Sequence, residues 1–146
     1  MTMDQTAGPR LTDVCTEEEL RSVRSSLMVF NESTAPSGFQ VPNERLDLVL
    51  KEEDGKLAGG LLGRTYRFAV YIEILWVDEK YRGQGLGARL MKAAEEEAVR
   101  RGCRLMHLDT FSFQAPDFYR KLGFEVFGEL AGFPDGAVRY FLKKTI

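Results

Sequence analysis

Apolar positions along the chain switch between two periods. Leu20, Val23, Leu27 and Phe30 recur every three or four residues, and Thr16 with Glu19 forms an S/T-x-x-E capping box ahead of them. This predicts a helix over about 16–30, preceded by a loose tail over 1–15 and followed by a proline-containing loop over 31–44. "RLDLVLK" (45–51) then alternates Leu46, Leu48 and Leu50 with polar neighbours, the strand period, and "EEDGK" supplies an Asp-Gly turn into a second strand, "LAGGLLGRTY" (57–66). That strand is glycine-rich and expected to carry a bulge. "FAVYIEILWV" (68–77) is apolar on both faces, as a central strand should be, with Glu73 as its one charge. Leu86, Leu90, Ala94 and Ala98 form one stripe of a helix over about 86–101, with Arg89, Lys92, Glu96 and Arg100 off it and Gly102 as its stop. Strand 103–111, a short helix over 116–122 with proline in its first turn, "FEVFGEL", the turn "FPDG" and "AVRYFLKK" complete the order. Strand 68–77, the helix after it and strand 103–111 make one βαβ unit, which puts the two strands parallel. The fold class is mixed α/β with a mixed sheet.

Composition narrows the chemistry. The 146 residues suit one domain, expected to occupy 16–146. Net charge is −2 and no basic block marks a nucleic-acid binder. Two distant cysteines, Cys15 and Cys103, and a single histidine, His107, argue against a disulfide scaffold and against a metal site. No apolar run has the length of a membrane span, and the N-terminus lacks a signal-peptide core, so a cytoplasmic protein that binds no membrane is expected.

The segment between strand 68–77 and its helix carries the candidate chemistry. "YRGQGLGARL" (81–90) places Gly83, Gly85 and Gly87 at alternate positions just where a helix begins. A plain connection does not explain three such glycines. A dinucleotide fingerprint is the second reading, since Gly83, Gly85 and Ala88 satisfy G-x-G-x-x-A and Asp109 ends a later strand. It is weakened by "DEKYR" between strand and glycines. The third reading is an anion cradle: bare backbone N–H groups at a helix start, the helix dipole and Arg82 suit a pyrophosphate. No G-K-[ST] follows, so the loop is not a Walker A sequence.

"WVDEKYRGQGLGARLM" resembles the acetyl-coenzyme A signature R/Q-x-x-G-x-G/A of the GNAT family of N-acetyltransferases, with Arg82, Gly85 and Gly87 filling it. A second family feature matches at Ala115, Phe118-Tyr119 and Lys121-Leu122-Gly123-Phe124, and the element order fits over about 16–144. The resemblance implies a sheet whose two central parallel strands are splayed into a V, with flanking helices. It implies that amides of Arg82, Gly83, Gln84, Gly85, Leu86 and Gly87 bind the pyrophosphate of acetyl-CoA. It further implies that the main chain of Leu75, Trp76 and Val77 pairs with the pantetheine arm, and that Tyr119 faces the departing sulfur. Ser112 stands where many members have an asparagine that contacts the pantetheine. The implied acceptor pocket draws on the N-terminal helix, the 31–44 loop and the 57–77 region, and no metal is implied.

The residues support the same chemistry directly. Acyl transfer from a thioester to an amine needs a neutral amine, a donor for the developing oxyanion and a proton for the thiolate. A phenol with an ordinary pKa of about 10 can supply that proton, which suits Tyr119. Glu73, a carboxylate in an apolar strand at the parity of Leu75 and Val77, fits a general base, a substrate-anchoring anion or a structural ion pair. Cys103 reads as a buried structural residue within its strand, and His107 as a satisfied structural histidine. Tyr66, Tyr71 and Trp76 fit either the acceptor side or the core, as do Phe111 and Phe113, one of which is expected in the core. The expected activity is acetyl transfer to a primary amine in a ternary complex, with a non-catalytic acyl-CoA-binding module as the alternative. Small molecules and peptides both qualify as acceptors, and a homodimer is compatible with the C-terminal strand.

Overall fold

The computed structural model describes residues 8–36 and 43–146. They belong to two units. In the first, helix α1 spans Glu17–Thr34. Its capping box is formed as read: the Thr16 hydroxyl accepts from the Glu19 N–H at 3.1 Å, and a Glu19 carboxylate oxygen accepts from the Thr16 N–H at 2.7 Å. Three glutamates in the first turn complement the helix dipole. The helix runs past residue 30, so the loop expected at 31–44 starts later, and its stretch 37–42 lies outside the described residues, as does 1–7 of the expected tail.

The second unit is a six-stranded sheet with two helices. Its strands are β1 (Glu44–Lys51), β2 (Leu57–Tyr66), β3 (Ala69–Val77), β4 (Leu105–Phe111), β5 (Glu125–Leu130) and β6 (Arg139–Thr145). Helix α2 (Leu86–Arg100) connects β3 to β4, and α3 (Pro116–Lys121) connects β4 to β5. The spatial order is β1-β2-β3-β4-β6-β5, so the last strand inserts beside β4. Only β3 and β4 are parallel, as the βαβ reading required. A single 3₁₀ turn, Glu79–Tyr81, occupies the segment read as loop. Cys103 precedes β4 and does not lie within it, because α2 ends into a turn at Gly102 (φ 82°). Among the described residues no helix is long and apolar enough to cross a membrane.

The core lies on one side of the sheet. Leu46, Leu61, Val70, Ile72, Met106, Leu108 and Leu142 pack against Leu90, Met91, Ala94 and Ala98 of α2, together with Cys103 and Phe124. The fully buried alanines of α2 are what allow the helix to lie close on the strands. The opposite face alternates aromatic and charged residues: Arg45, Arg64, Tyr71, His107, Asp109 and Arg139.

Parallel pairing of β3 with β4 covers four rungs, Ala69–Leu105 to Ile72–Leu108, and stops there. Beyond it β4 stays paired with β6 through Phe111, while β3 stays paired with β2. The departure coincides with a bulge. Leu62 opposes Ile74 and Gly63 opposes Ile72, so Glu73 is an extra residue in β3. A bulge bends its strand and increases local twist, which here turns β3 away from β4 and opens the V. It also resets side-chain parity. Val70 and Ile72 are in the core before it; Leu75 and Val77 pack on the core after it. Gly63 is fitted to this geometry, since an added Cβ would stand 2.7 Å from the Tyr71 carbonyl oxygen.

Candidate active site

The glycine turn sits where β3 runs out toward α2. Gly83 and Gly85 have φ of 75° and 76°, a left-handed conformation that side chains disfavour, and a Cβ on either would meet nothing within 4 Å. Conformation, rather than crowding within the protein, selects glycine at both positions. Gly85 is the N-cap of α2 and offers no side-chain oxygen to the first-turn amides, and that turn holds no acidic residue. The amides of Leu86, Gly87 and Ala88 therefore face outward as unsatisfied donors at the positive end of the helix dipole. Arg82 folds back so that its Nε donates to the Val77 carbonyl at 3.2 Å. Gly87 has a different cause from the other two. A Cβ there would lie 3.2 Å from Cζ of Phe118, so this glycine seats the aromatic ring of α3 against the start of α2.

That contact joins the two sequence motifs. Phe118 and Tyr119 meet edge to face at 5.1 Å, and Tyr119 meets Phe124 at 6.0 Å. The backbone carbonyl of Tyr119 accepts from Leu122 and Phe124, which ends the short helix tightly. The ring is partly buried against the core, while its hydroxyl makes no hydrogen bond to the described residues. Burial pushes this hydroxyl above its ordinary pKa of 10.0, so it is a proton donor across the neutral range.

Glu73 does not share a face with Leu75 and Val77, as strict alternation would require. The bulge turns its carboxylate to the opposite face, where Arg45 Nη1 donates to its two oxygens at 3.2 and 3.1 Å. Arg64 Nε stands 3.4 Å from the same group. Arg45 also forks onto Asp47, at 3.1 and 2.7 Å. Across the V, Asp109 of β4 accepts from the Tyr71 hydroxyl at 2.8 Å and from Arg139 at 2.9 Å. Asp109 is thus committed within the sheet, where the dinucleotide reading needed it on a ribose.

The other residues singled out in the sequence lie in varied settings. The Ser112 N–H donates to the Val138 carbonyl at 2.8 Å, and its hydroxyl accepts from the Val138 N–H at 3.1 Å, locking it to the segment before β6. Gln114, unnoticed in the sequence, closes the turn after β4: its side-chain oxygen accepts from the Phe111 N–H at 2.8 Å and the Thr110 hydroxyl at 3.1 Å. Neither Phe111 nor Phe113 joins the core. They stack at 5.3 Å, with Phe113 73% exposed. Tyr66 and Trp76 are exposed and Tyr71 is half-buried. His107 is not satisfied by hydrogen bonds. It stacks on Tyr71 at 5.0 Å, and neither ring nitrogen has a hydrogen-bond partner among the described residues. Cys103 is buried, and desolvation raises its thiol pKa, which suits an inert structural residue. Among the described residues no group of three or more His, Cys, Asp or Glu side chains is arranged to hold a metal ion.

The model of the acetyltransferase (GNAT) family matches residues 15–124. The chain belongs to the GNAT family. It is 33% identical over 135 residues to an acetyltransferase of Agrobacterium fabrum, covering 92% of this chain and 96% of that one. It is 38% identical over 95 residues to the blasticidin-S acetyltransferase of Streptomyces morookaense, covering 64% of this chain and 70% of the relative. The crystal structure of an acetyltransferase from Bacillus cereus superposes with a TM-score of 0.87 at 36% identity, covering 94% of this chain and 98% of that chain. Fold and enzyme class are those of an N-acetyltransferase, and acetyl transfer from acetyl-CoA is the family's reaction. The residues present fit the donor. A GNAT enzyme needs an anion cradle and an open strand edge, and this chain has uncapped amides over Leu86–Ala88 and a β3 edge that is unpaired with β4 past Ile72.

Proposed function

We propose that this GNAT transferase acetylates a primary amine by direct attack while both substrates are bound, with residues 16–146 working as a single domain. The observation that carries the reading is the V between β3 and β4, with the glycine turn past β3 joined through Gly87 and Phe118 to α3, which bears Tyr119. Acetyl-CoA supplies an activated acyl group as a thioester. The amides from Arg82 to Gly87 hold its pyrophosphate, aided by the Arg82 charge and the α2 dipole. The β3 main chain over Leu75–Val77 holds the pantetheine arm and offers an N–H to the developing oxyanion. Tyr119 delivers a proton to the departing sulfur, a role open to a phenol that stays protonated across the neutral range. Ser112 contributes its position on the pantetheine side, through backbone held by Val138.

Glu73 is assigned the base role, taking the amine proton through water from the face opposite α2. The ion pairs with Arg45 and Arg64 support a second role for it, as a structural anion. The non-catalytic alternative draws on the same observation, because a carboxylate held by two arginines is a poorer base. Incubation with acetyl-CoA and a panel of primary amines decides between them. Thiol release that depends on an amine supports transfer; tight acetyl-CoA binding without release on any amine supports the binding module. The relative named for blasticidin S points to small-molecule amines as the first acceptors to try.

A further inference from the structure

On the face opposite α2, at the paired end of the V, lies a cavity of about 390 Å³ lined by Asn43, Arg64, Tyr66, Ala69, Tyr71 and His107. Its polar groups are donors or neutral: one guanidinium, one amide, two phenols and one imidazole. No carboxylate lines it. The acidic groups nearby on this face are all held by arginines, Asp47 and Glu73 by Arg45, Glu73 also by Arg64, and Asp109 by Arg139. Arg64 spends only its Nε on Glu73, and its terminal N–H groups have no hydrogen-bond partner among the described residues. The two aromatic walls are already occupied by cations, Arg64 lying 5.9 Å over the Tyr71 ring and Arg67 4.8 Å over the Tyr66 ring. An ammonium entering here would meet positive charge with no free carboxylate to receive it. His107 adds an imidazole whose nitrogens are unspent, and burial lowers its pKa below 6.5, so at neutral pH it presents one donor and one acceptor.

We infer that this cavity recognises a carboxylate on the acceptor, so that the acceptor is an amine that also bears an acid group, as in a basic amino acid, and not a polyamine. Arg64 would bind the carboxylate, with His107 and Asn43 as flanking hydrogen-bond partners. The inference rests on the transfer reading above, which puts the reacting amine near Leu75. Leu75 lies four positions along β3 from Tyr71, one of them taken by the bulge, a span of roughly 10–13 Å at about 3.3 Å per residue. The side chain of a basic amino acid, met from both ends by protein groups, covers that order of distance.

His107 is the only histidine in the chain, so one imidazole resonance reports this cavity. The full-length protein is titrated at pH 7.5 with L-lysine and L-ornithine, and with cadaverine and putrescine, the same chains without the carboxylate. The imidazole signal is expected to shift saturably with at least one amino acid and to be unmoved by the diamines. Arg64→Gln should weaken the response at least tenfold, and Arg64→Lys should recover part of it. Equal responses to diamine and amino acid, no response to either amino acid, or a response that survives Arg64→Gln would overturn the inference. Thiol release from acetyl-CoA on the same samples separates the two ideas. Release with no imidazole response overturns the cavity and leaves transfer standing; an imidazole response without release leaves the cavity and overturns transfer.

Discussion

Tyr119 and Glu73 were both readable as chemical groups from their neighbours in sequence, yet they end in unlike circumstances. Tyr119 has a half-buried ring, an unspent hydroxyl and a raised pKa. Glu73 has three ion-pair contacts shorter than 3.5 Å. Glu73→Gln separates its two roles. A base removed lowers kcat/KM by ~10²–10⁴-fold with thermal stability nearly kept, whereas a structural anion removed lowers the melting temperature and spares kcat. The base assignment predicts the first outcome, read by steady-state kinetics alongside a melting curve. His107 carries its own pH signature. Its folded pKa lies below the unfolded 6.5, chiefly through burial, with Asp109 opposing. The unfolded chain therefore binds the extra proton first, and this residue's contribution to stability is full above about 6.5 and shrinks as pH falls toward the folded pKa. Comparing melting temperatures of wild type and His107→Gln from pH 7.5 to 5.5 should show the wild type losing more. Equal slopes would contradict the neutral, buried imidazole.

At the scale of elements, the strands and the helix after the glycine turn were legible to within about two residues because they rest on local periodicity and caps. The capping box at Thr16 and Glu19 is local chemistry and formed as read. The bulge at Glu73 was not legible in β3, because a strand apolar on both faces hides a change of parity. Its trace was in β2, where Gly63 permits the close approach of the Tyr71 carbonyl. Gly63→Ala should therefore cost roughly 1–3 kcal/mol through overpacking against backbone, measured by denaturant unfolding. A neutral substitution would mean that the bulge relaxes freely. Gly87 was read with the other two glycines as part of the anion cradle, and the structure adds a packing reason, the seat of the Phe118 ring. The positive φ of Gly83 and Gly85 was legible from their spacing at a helix start, since it is a need that few other residues meet.

The sheet order of the whole unit exceeded what sequence could supply. Placing β6 between β4 and β5 depends on long-range pairing, and no local signal in "AVRYFLKK" specifies it. That insertion supplies Arg139, the partner of Asp109, and pairs β4 as far as Phe111, beyond the point where β3 leaves it. The molecule thereby divides its labour by face. One side of the sheet is a closed apolar core under α2; the other is a lattice of arginines, carboxylates and aromatics; and the V opens between β3 and β4, with the glycine turn at the outer end of β3. Acyl transfer across that opening is the central claim, and Tyr119→Phe tests it most directly. Calorimetric binding of acetyl-CoA and amine-dependent thiol release are measured together on the wild type and on this variant. The account predicts binding within about twofold of wild type and a kcat lowered by ~10²-fold or more, the usual scale for loss of a general acid. An unchanged kcat, or a loss of acetyl-CoA affinity as large as the loss of rate, would contradict it.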